Sequence, residues 1–319
     1  MDFRFTEDEQ DLIDAAKAVF DGENTPERMR GLIGGEMSDT LWRQFAELGL
    51  FGVMASEGNG GLSQSLAVMA GISEAAGYAG LPEPYVEQAG LVVPLLEQMG
   101  EVDALAQVLS GDESYSVAHP LVAYHNGADH CAGFITDRIV RAEDTKLTLV
   151  KSIDPLRRLF KIDVQGTANP QAEHQGAVLT AAQLVGLSAR MVDMSVDYAK
   201  DRHQFGKPIG SFQAVKHHLA TVYTQIEFTR PMVHLAALQG GRSVHMAKLA
   251  AIDTAMLAVE TAIQVHGGMG YTFEVDLHMF MKRAWALCGE WGDRSYHMNR
   301  LEEFILQDGA DLGPGQTFV

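Results

Sequence analysis

The hydrophobic periodicity of this 319-residue chain changes twice, and this change constrains the fold more than any other feature. Residues up to 112 and from 169 onward repeat apolar side chains at helical spacing. Between Ser114 and Gly166 the segments are short, rich in Val, Ile, Thr and Phe, and interrupted by Gly, Asp and Pro, which indicates strands. Because helices and strands are segregated rather than alternating, the pattern predicts a mainly α chain of the α+β class.

The two changes divide the chain into three predicted domains, at residues 1–112, 113–168 and 169–319. The first is expected to be a helical bundle, the second a small β-module in the form of a partial barrel or sheet, and the third a set of long helices. The clearest early helix covers Thr6 to Phe20, with Thr6 as its N-cap before an acidic first turn. A later helix begins at Ser38 or Asp39 and ends at Gly49.

The charge of the chain excludes several classes of partner. The sequence has 42 acidic and 24 basic residues and a formal net charge of -18, which argues against binding to nucleic acid or to an anionic membrane surface. The N-terminal "MDFRFTEDEQ" lacks the pattern of a secretory signal, and no run of about 18 apolar residues is evident. We therefore expect a cytoplasmic protein in which any anionic small ligand requires a local basic site.

The histidines and cysteines do not show metal-ligand spacing. Neighbouring His217 and His218 point to different helix faces, and no Glu-x-x-His pair is present. The two cysteines, Cys131 and Cys288, lie far apart. The sequence therefore predicts reduced cysteines and no metal site.

The segment "YAKDRHQFGKPIGSFQ", Tyr198 to Gln213, crosses the end of one predicted helix, a turn and the start of the next helix. An arginine at a helix end, here Arg202, suits a phosphate or pyrophosphate because its guanidinium binds two oxygens at once. Phe205 could lie against a flat ring, and Gln213 could hydrogen-bond to one. The alternative interpretation is a simple turn with a surface arginine, and these residues alone do not separate the two.

The segment "QVHGGMGYTFE" places Gly267, Gly268 and Gly270 directly after a long apolar helix. A C-cap followed by a loop is the simplest interpretation. The segment is not a dinucleotide-binding fingerprint, because that pattern follows a strand and opens a helix, whereas this one ends a helix.

Together these segments resemble the acyl-CoA dehydrogenase family, flavoproteins that oxidise acyl-CoA thioesters to 2-enoyl-CoA. "FTEDEQDLIDAAKAVF" and "LWRQFAELGLFGVMASEGNGG" are similar to its opening helices and Gly-Gly loop, and the two segments above are similar to its most specific C-terminal motifs. The resemblance covers most of the chain. It implies an N-terminal helical bundle, a middle β-domain, a C-terminal four-helix bundle and FAD as cofactor.

The resemblance also implies which residues contact FAD. The residues that match the family motif reaching across a subunit interface to the pyrophosphate of the partner's FAD are Arg202, Gln204, Phe205, Phe212 and Gln213. The residues that match the segment along the adenylate side of FAD are Gln264, Gly267 and Gly268. These assignments agree with a bidentate cation for phosphate and with glycines where a backbone must come close.

The catalytic base of the family has no clear counterpart. The chemistry needs a carboxylate to remove the α-proton while a hydride passes to the flavin. When the family motif is aligned at Gly267 and continued without a gap, its base falls on Trp291. Glu290 is one residue before that position, a difference of about 100° of rotation on a helix. Some members of the family carry the base at a second position, which in this chain is Gly176. Ala177 stands where the adjacent arginine that contacts the substrate is usually found. Glu290 is thus the remaining candidate, since Glu173, the nearest carboxylate in the second region, has little support.

The middle region also departs from the family. No match to the flavin-ring-binding Thr-Glu and Trp-Ile-Thr motifs is present, and the β-module is short. This pattern resembles the short, degenerate subunits of heteromeric, α2β2 acyl-CoA dehydrogenases that shorten steroid side chains. It implies a partner acyl-CoA dehydrogenase subunit, an acyl-CoA substrate and an electron-transfer flavoprotein as acceptor.

Two alternatives stay open at the level of sequence. One is a complete homotetrameric acyl-CoA dehydrogenase that uses Glu290 as its base after a one-residue shift of the backbone. The other is a helical interaction or scaffold protein that has lost its flavin.

Overall fold

The chain has helices before and after a small β-module. The structure is a computed structural model that describes residues 4–34, 39–164 and 166–307. The predicted mainly α architecture is therefore confirmed. The N-terminal helices are α1 (Glu7–Glu23), α2 (Pro26–Leu32), α3 (Asp39–Glu47), α4 (Leu66–Ala79), α5 (Tyr85–Glu87), α6 (Val93–Met99) and α7 (Val102–Leu109). A π-helical stretch, Gln88–Val92, joins α5 to α6.

The first helix begins as its sequence predicts. The Thr6 hydroxyl accepts a hydrogen bond from the Glu9 amide at 3.3 Å, and the Glu9 carboxylate accepts from the Thr6 amide at 2.8 Å. This reciprocal capping satisfies two amides that the first turn leaves without helical partners. The helices α2 and α7 escaped prediction because seven or eight residues carry too little periodic signal. Ser38, one of two predicted starts of α3, lies outside the described residues.

The β-module consists of two small sheets in the described part of the chain. Its strands are β1 (Tyr115–Val117), β2 (His125–Asn126), β3 (Gly133–Ile135), β4 (Ile139–Arg141), β5 (Lys146–Val150) and β6 (Leu159–Asp163). One sheet has the order β1-β3-β4, with β1 and β3 parallel, and the other is antiparallel with the order β2-β6-β5. The module is therefore a pair of partial sheets.

The C-terminal part is built from three long helices and two shorter ones. They are α8 (Pro170–Asp201), α9 (Gln213–Gln239), α10 (Arg242–His266), α11 (Leu277–Cys288) and α12 (Arg294–Leu306). A two-stranded hairpin of β7 (His203–Gln204) and β8 (Lys207–Pro208) connects α8 to α9. The helices α8 to α11 form a four-helix bundle, and α12 packs on α10.

Helix α8 joins the ends of the chain through close contact with α4. An added Cβ at Gly186 would overlap the Glu74 carbonyl and would lie 2.6 Å from the Tyr78 amide, so the two helices meet backbone to backbone. Buried residues of α4, β1 and α8 share one hydrophobic core. The proposed boundaries at 112/113 and 168/169 therefore stay a prediction about the sequence, since the core runs across both.

Helix α8 is also long and apolar enough to span a membrane by length and composition, with a mean hydropathy of 1.2 over its most apolar stretch. In the fold, 72% of that stretch is buried against other helices. The central helix of a packed bundle has the same apolar composition for this reason.

Candidate active site and cofactor interface

The two positions at which the resemblance places a base converge in space. Trp291 is 3% exposed, and its indole lies against Gly176 on α8. An added Cβ at Gly176 would overlap the ring and would lie 2.8 Å from its Cε3 atom. The space that a carboxylate from either position would need is therefore filled by an aromatic ring.

The backbone around Trp291 is anchored from two sides. Trp291 has a left-handed φ of 58°, and its amide donates to the Leu121 carbonyl at 3.2 Å. Its carbonyl accepts a hydrogen bond from His297 Nε2 at 3.0 Å, and its ring lies 5.1 Å from that of His119. The loop after β1 thus packs directly on Trp291.

Two buried histidines support this loop, and sequence reasoning did not identify them as a pair. His245 Nδ1 and His297 Nδ1 lie 2.9 Å apart. Because His297 Nε2 donates to a carbonyl, its Nδ1 accepts, and His245 Nδ1 must carry the proton. Burial lowers the pKa of each imidazole to about 4, so both are neutral at pH 7.

The Glu290 carboxylate forms an ion pair with Arg157. Its Oε2 lies 2.6 Å from Arg157 Nη2, and the two side chains are 21% and 8% exposed. Arg157 belongs to the loop before β6, on the side of the β-module. The Arg157 guanidinium therefore occupies one oxygen of the carboxylate that a base would need. Glu173, the other carboxylate considered, accepts a hydrogen bond from the Tyr296 hydroxyl at 2.5 Å.

A small polar cavity lies beside Glu290. Its volume is about 50 Å³. Its charged lining consists of Glu83, Glu87, Arg157, Arg283 and Glu290. A cavity of this size and lining does not suit an apolar acyl chain.

Sequence reasoning missed Glu87, a charged residue of this cavity. It is the single carboxylate in the apolar segment "YVEQAGLVV", and that isolation was the available signal. It accepts hydrogen bonds from the Ser116 hydroxyl and the Val117 amide, both at 2.8 Å. Burial raises the pKa of Glu87 to about 7. These contacts join α5 to β1 and give Glu87 a structural role.

The predicted FAD-contacting hairpin projects from the surface. Phe205 and Gly206 form its tip, with φ values of 54° and 80° that match a tight two-residue turn. Phe205 is 92% exposed, and its ring meets that of Phe212 at 6.1 Å and 90°. This aromatic ring is therefore accessible to a ligand or partner from outside the chain.

The polar residues at the hairpin are exposed as well. Arg202 follows the last residue of α8, and both Arg202 and Gln204 are exposed, as is Gln213 at the start of α9. Within the described residues, no carboxylate pairs with Arg202. Its guanidinium is thus available to an anion from outside the chain.

The structure brings the two C-terminal motifs together. The Tyr198 ring, near the end of α8, stacks on the His266 ring at the end of α10, with centroids 4.4 Å apart. Gln264 is exposed, and an added Cβ at Gly267 or Gly268 would meet no atom of this chain within 4 Å. The predicted FAD residues of both motifs therefore border one open face.

This open face is far from the chain's own base positions. Gly176 and Arg202 are separated by 26 residues along α8, which corresponds to about 39 Å at the rise of an α-helix. The hairpin thus lies well away from Trp291. The Arg202 guanidinium, the exposed Phe205 ring and the open backbone at Gly267 and Gly268 are chemically suited to a flavin dinucleotide.

The described side chains were also compared with the arrangements that hold metal ions. Across residues 4–34, 39–164 and 166–307, no group of three or more His, Cys, Asp or Glu residues is placed to hold a metal ion. The neutral His245 and His297 pair is instead used to hold the Trp291 loop.

Comparison with known proteins assigns the family. Residues 6–111 match the model of the acyl-CoA dehydrogenase N-terminal domain, and residues 171–306 match that of the C-terminal domain. Acyl-CoA dehydrogenase IpdE2 of Mycobacterium tuberculosis is 33% identical over 261 residues, covering 77% of this chain and 80% of that protein.

Two solved structures have a similar fold. The ChsE4-ChsE5 complex of Mycobacterium tuberculosis contains a chain with a TM-score of 0.85 at 23% identity, covering 96% of this chain and 100% of that one. The Tcur3481-Tcur3483 steroid ACAD gives a TM-score of 0.85 at 22% identity, with coverage of 96% and 99%. The chain belongs to the acyl-CoA dehydrogenase family, whose cofactor is FAD.

Proposed function

We propose that this chain is the flavin-completing subunit of a heteromeric, FAD-dependent acyl-CoA dehydrogenase and has no catalytic base of its own. The observation that carries the proposal is the packing of the Trp291 indole on Gly176, which fills the space of both possible bases. Glu290 does not replace them, because Arg157 engages its carboxylate.

The cavity beside Glu290 also argues against an acyl site at that residue. Small-molecule sites usually occupy about 300 Å³ or more. The cavity beside Glu290 measures about 50 Å³ and is lined by five charged side chains. A thioester tail has no room in this cavity.

The two subunits have different roles in this proposal. When bound, FAD would accept a hydride from the β-carbon of the acyl group, and a carboxylate would remove the α-proton. In our proposal the partner subunit provides that carboxylate, the acyl pocket and most of the flavin site. This chain provides the Arg202 guanidinium for the pyrophosphate, Phe205 and Phe212 as aromatic contacts, and the bare backbone at Gly267 and Gly268.

The substrate is proposed by analogy. The ChsE4-ChsE5 complex contains two kinds of chain, and the Tcur3481-Tcur3483 protein is a steroid ACAD. By the same pattern we propose an α2β2 assembly in the cytoplasm that oxidises a bulky, steroid-type acyl-CoA to its 2-enoyl-CoA during β-oxidation. An electron-transfer flavoprotein is the proposed acceptor.

Co-expression tests the proposal. The chain is purified alone and together with candidate acyl-CoA dehydrogenases encoded by neighbouring genes, and flavin per chain, mass and acyl-CoA turnover are measured. We expect a yellow α2β2 complex with two FAD per tetramer and an inactive lone chain. Full flavin loading and turnover by the lone chain would refute the proposal, and a colourless complex would instead support the scaffold alternative.

A further inference from the structure

The hairpin after α8 carries a local excess of basic residues, although the chain as a whole is acidic. Between residues 200 and 216 there are four cations, Lys200, Arg202, Lys207 and Lys216, and one carboxylate, Asp201. Lys200 pairs with Asp197 at 3.0 Å, but no carboxylate of the described residues pairs with the other three cations. In a protein of net charge -18 this concentration of unpaired positive charge favours an anionic ligand.

Three polar side chains share one face of the hairpin. Gln204 pairs with Lys207 across the strands, and the Ile209 amide donates to the Arg202 carbonyl at 2.8 Å, which extends the pairing by one step. Because side chains alternate between the faces of a strand, Arg202, Gln204 and Lys207 project to the same side. Diagonal neighbours in such a pair lie about 7–8 Å apart, so two long cationic side chains can reach one ligand.

The start of α9 adds to the positive potential at this face. The Lys207 ammonium lies 4.4 Å from the centre of the Phe212 ring, and Phe212 is the N-cap residue of α9. No side chain caps the first amides of α9, and its first turn contains no carboxylate. A cation is unfavourable at the positive end of a helix dipole unless an anion lies between them.

We infer that Lys207 is a second cation for the pyrophosphate of the partner's FAD, placed beside Arg202 by the hairpin and held ready by Phe212. This inference rests on the proposed function and adds a residue to it. Stacking on Phe212 restricts the flexible lysine before the ligand arrives, which lowers the entropy lost on binding.

Affinity measurements on the flavin-free complex, or on the homo-oligomer if the chain assembles only with itself, test this role. FAD and riboflavin are titrated against Lys207→Met, Lys207→Arg and Arg202→Met, with Lys146→Met on exposed β5 as the matched control. Loss of one charge-assisted hydrogen bond should weaken FAD binding about tenfold in Lys207→Met. Riboflavin, which has no phosphate, should bind Lys207→Met and the native complex equally.

The effect should depend on charge. Lys207→Arg should retain most of the FAD affinity, and the deficit of Lys207→Met should shrink as salt concentration rises. Unchanged FAD affinity in Lys207→Met together with weak binding in Arg202→Met overturns the inference and leaves the proposed function standing. Unchanged affinity in both variants counts against the proposed function itself. Equal losses for FAD and riboflavin overturn the assignment to the pyrophosphate.

Discussion

The indole of Trp291 packs on Gly176, so the two positions at which the family resemblance places a base touch each other in this chain. Any carboxylate introduced at one position would compete with the side chain at the other. Because the ring is 3% exposed and its backbone is bound to Leu121 and His297, the contact is part of the core.

The first prediction concerns this contact. Gly176→Ala places a methyl group inside the indole and should lower the free energy of unfolding by about 1–3 kcal/mol through overpacking. Urea denaturation followed by circular dichroism measures the change. Gly31→Ala is the matched control, because Gly31 is an exposed helical glycine with no atom near its added Cβ, and it should be neutral or slightly stabilising.

The same contact predicts coupling between the two residues. Trp291→Leu creates space, so the cost of Gly176→Ala should be smaller in the Trp291→Leu background, with an interaction energy of about 0.5–3 kcal/mol. Strict additivity of the two substitutions would show that the side chains do not touch.

The second prediction separates a structural Glu290 from a catalytic one. Glu290→Gln leaves the Arg157 guanidinium, 8% exposed, without its carboxylate and should cost about 3 kcal/mol of stability. Turnover per bound flavin in the complex should not change. Glu260→Gln, on the exposed side of α10, provides a control that should alter neither quantity. Abolished turnover with full flavin content would instead identify Glu290 as the base.

The third prediction is a loss of stability in mild acid. The pKa of His245 and of His297 is lowered by burial to about 4, whereas that of an unfolded histidine is about 6.5. The unfolded chain therefore binds more protons between these values, and stability should be complete above pH 6.5 and fall as pH decreases toward 4. Urea midpoints measured across this range report the slope.

A glutamine at position 297 tests the source of that slope. His297→Gln retains an N–H that can donate to the Trp291 carbonyl but does not titrate, so its stability should depend less steeply on pH. His218→Gln, on the exposed side of α9, should keep the native slope. An identical slope in His297→Gln and the native chain would rule out this histidine as a contributor.

The fourth prediction concerns the tip of the hairpin. Phe205 is 92% exposed, so Phe205→Ala should change the stability of the chain by less than about 0.5 kcal/mol. Flavin retention by the complex during gel filtration should decrease, because the ring is proposed to contact the partner's FAD. Leu149→Ala, which removes an exposed side chain from β5, should leave retention intact. Equal retention in both variants would remove Phe205 from the proposed interface.

Local pattern was sufficient where the structure depends on neighbours in sequence. The α1 capping box, the end of α8 before Arg202 and the glycine that ends α10 are all readable from a few consecutive residues. The short helices α2 and α7 were missed, since one or two turns owe their stability to packing rather than to periodicity.

The sequence by itself determined the mainly α architecture and the family, because these follow from periodicity and from the spacing of motifs. Only the tertiary structure decided what surrounds the positions at which the resemblance places a base. Trp291 and Gly176 are 115 residues apart, and the Arg157 partner of Glu290 comes from the β-module. Their contacts depend on how three segments pack around α8, and no local pattern encodes that packing.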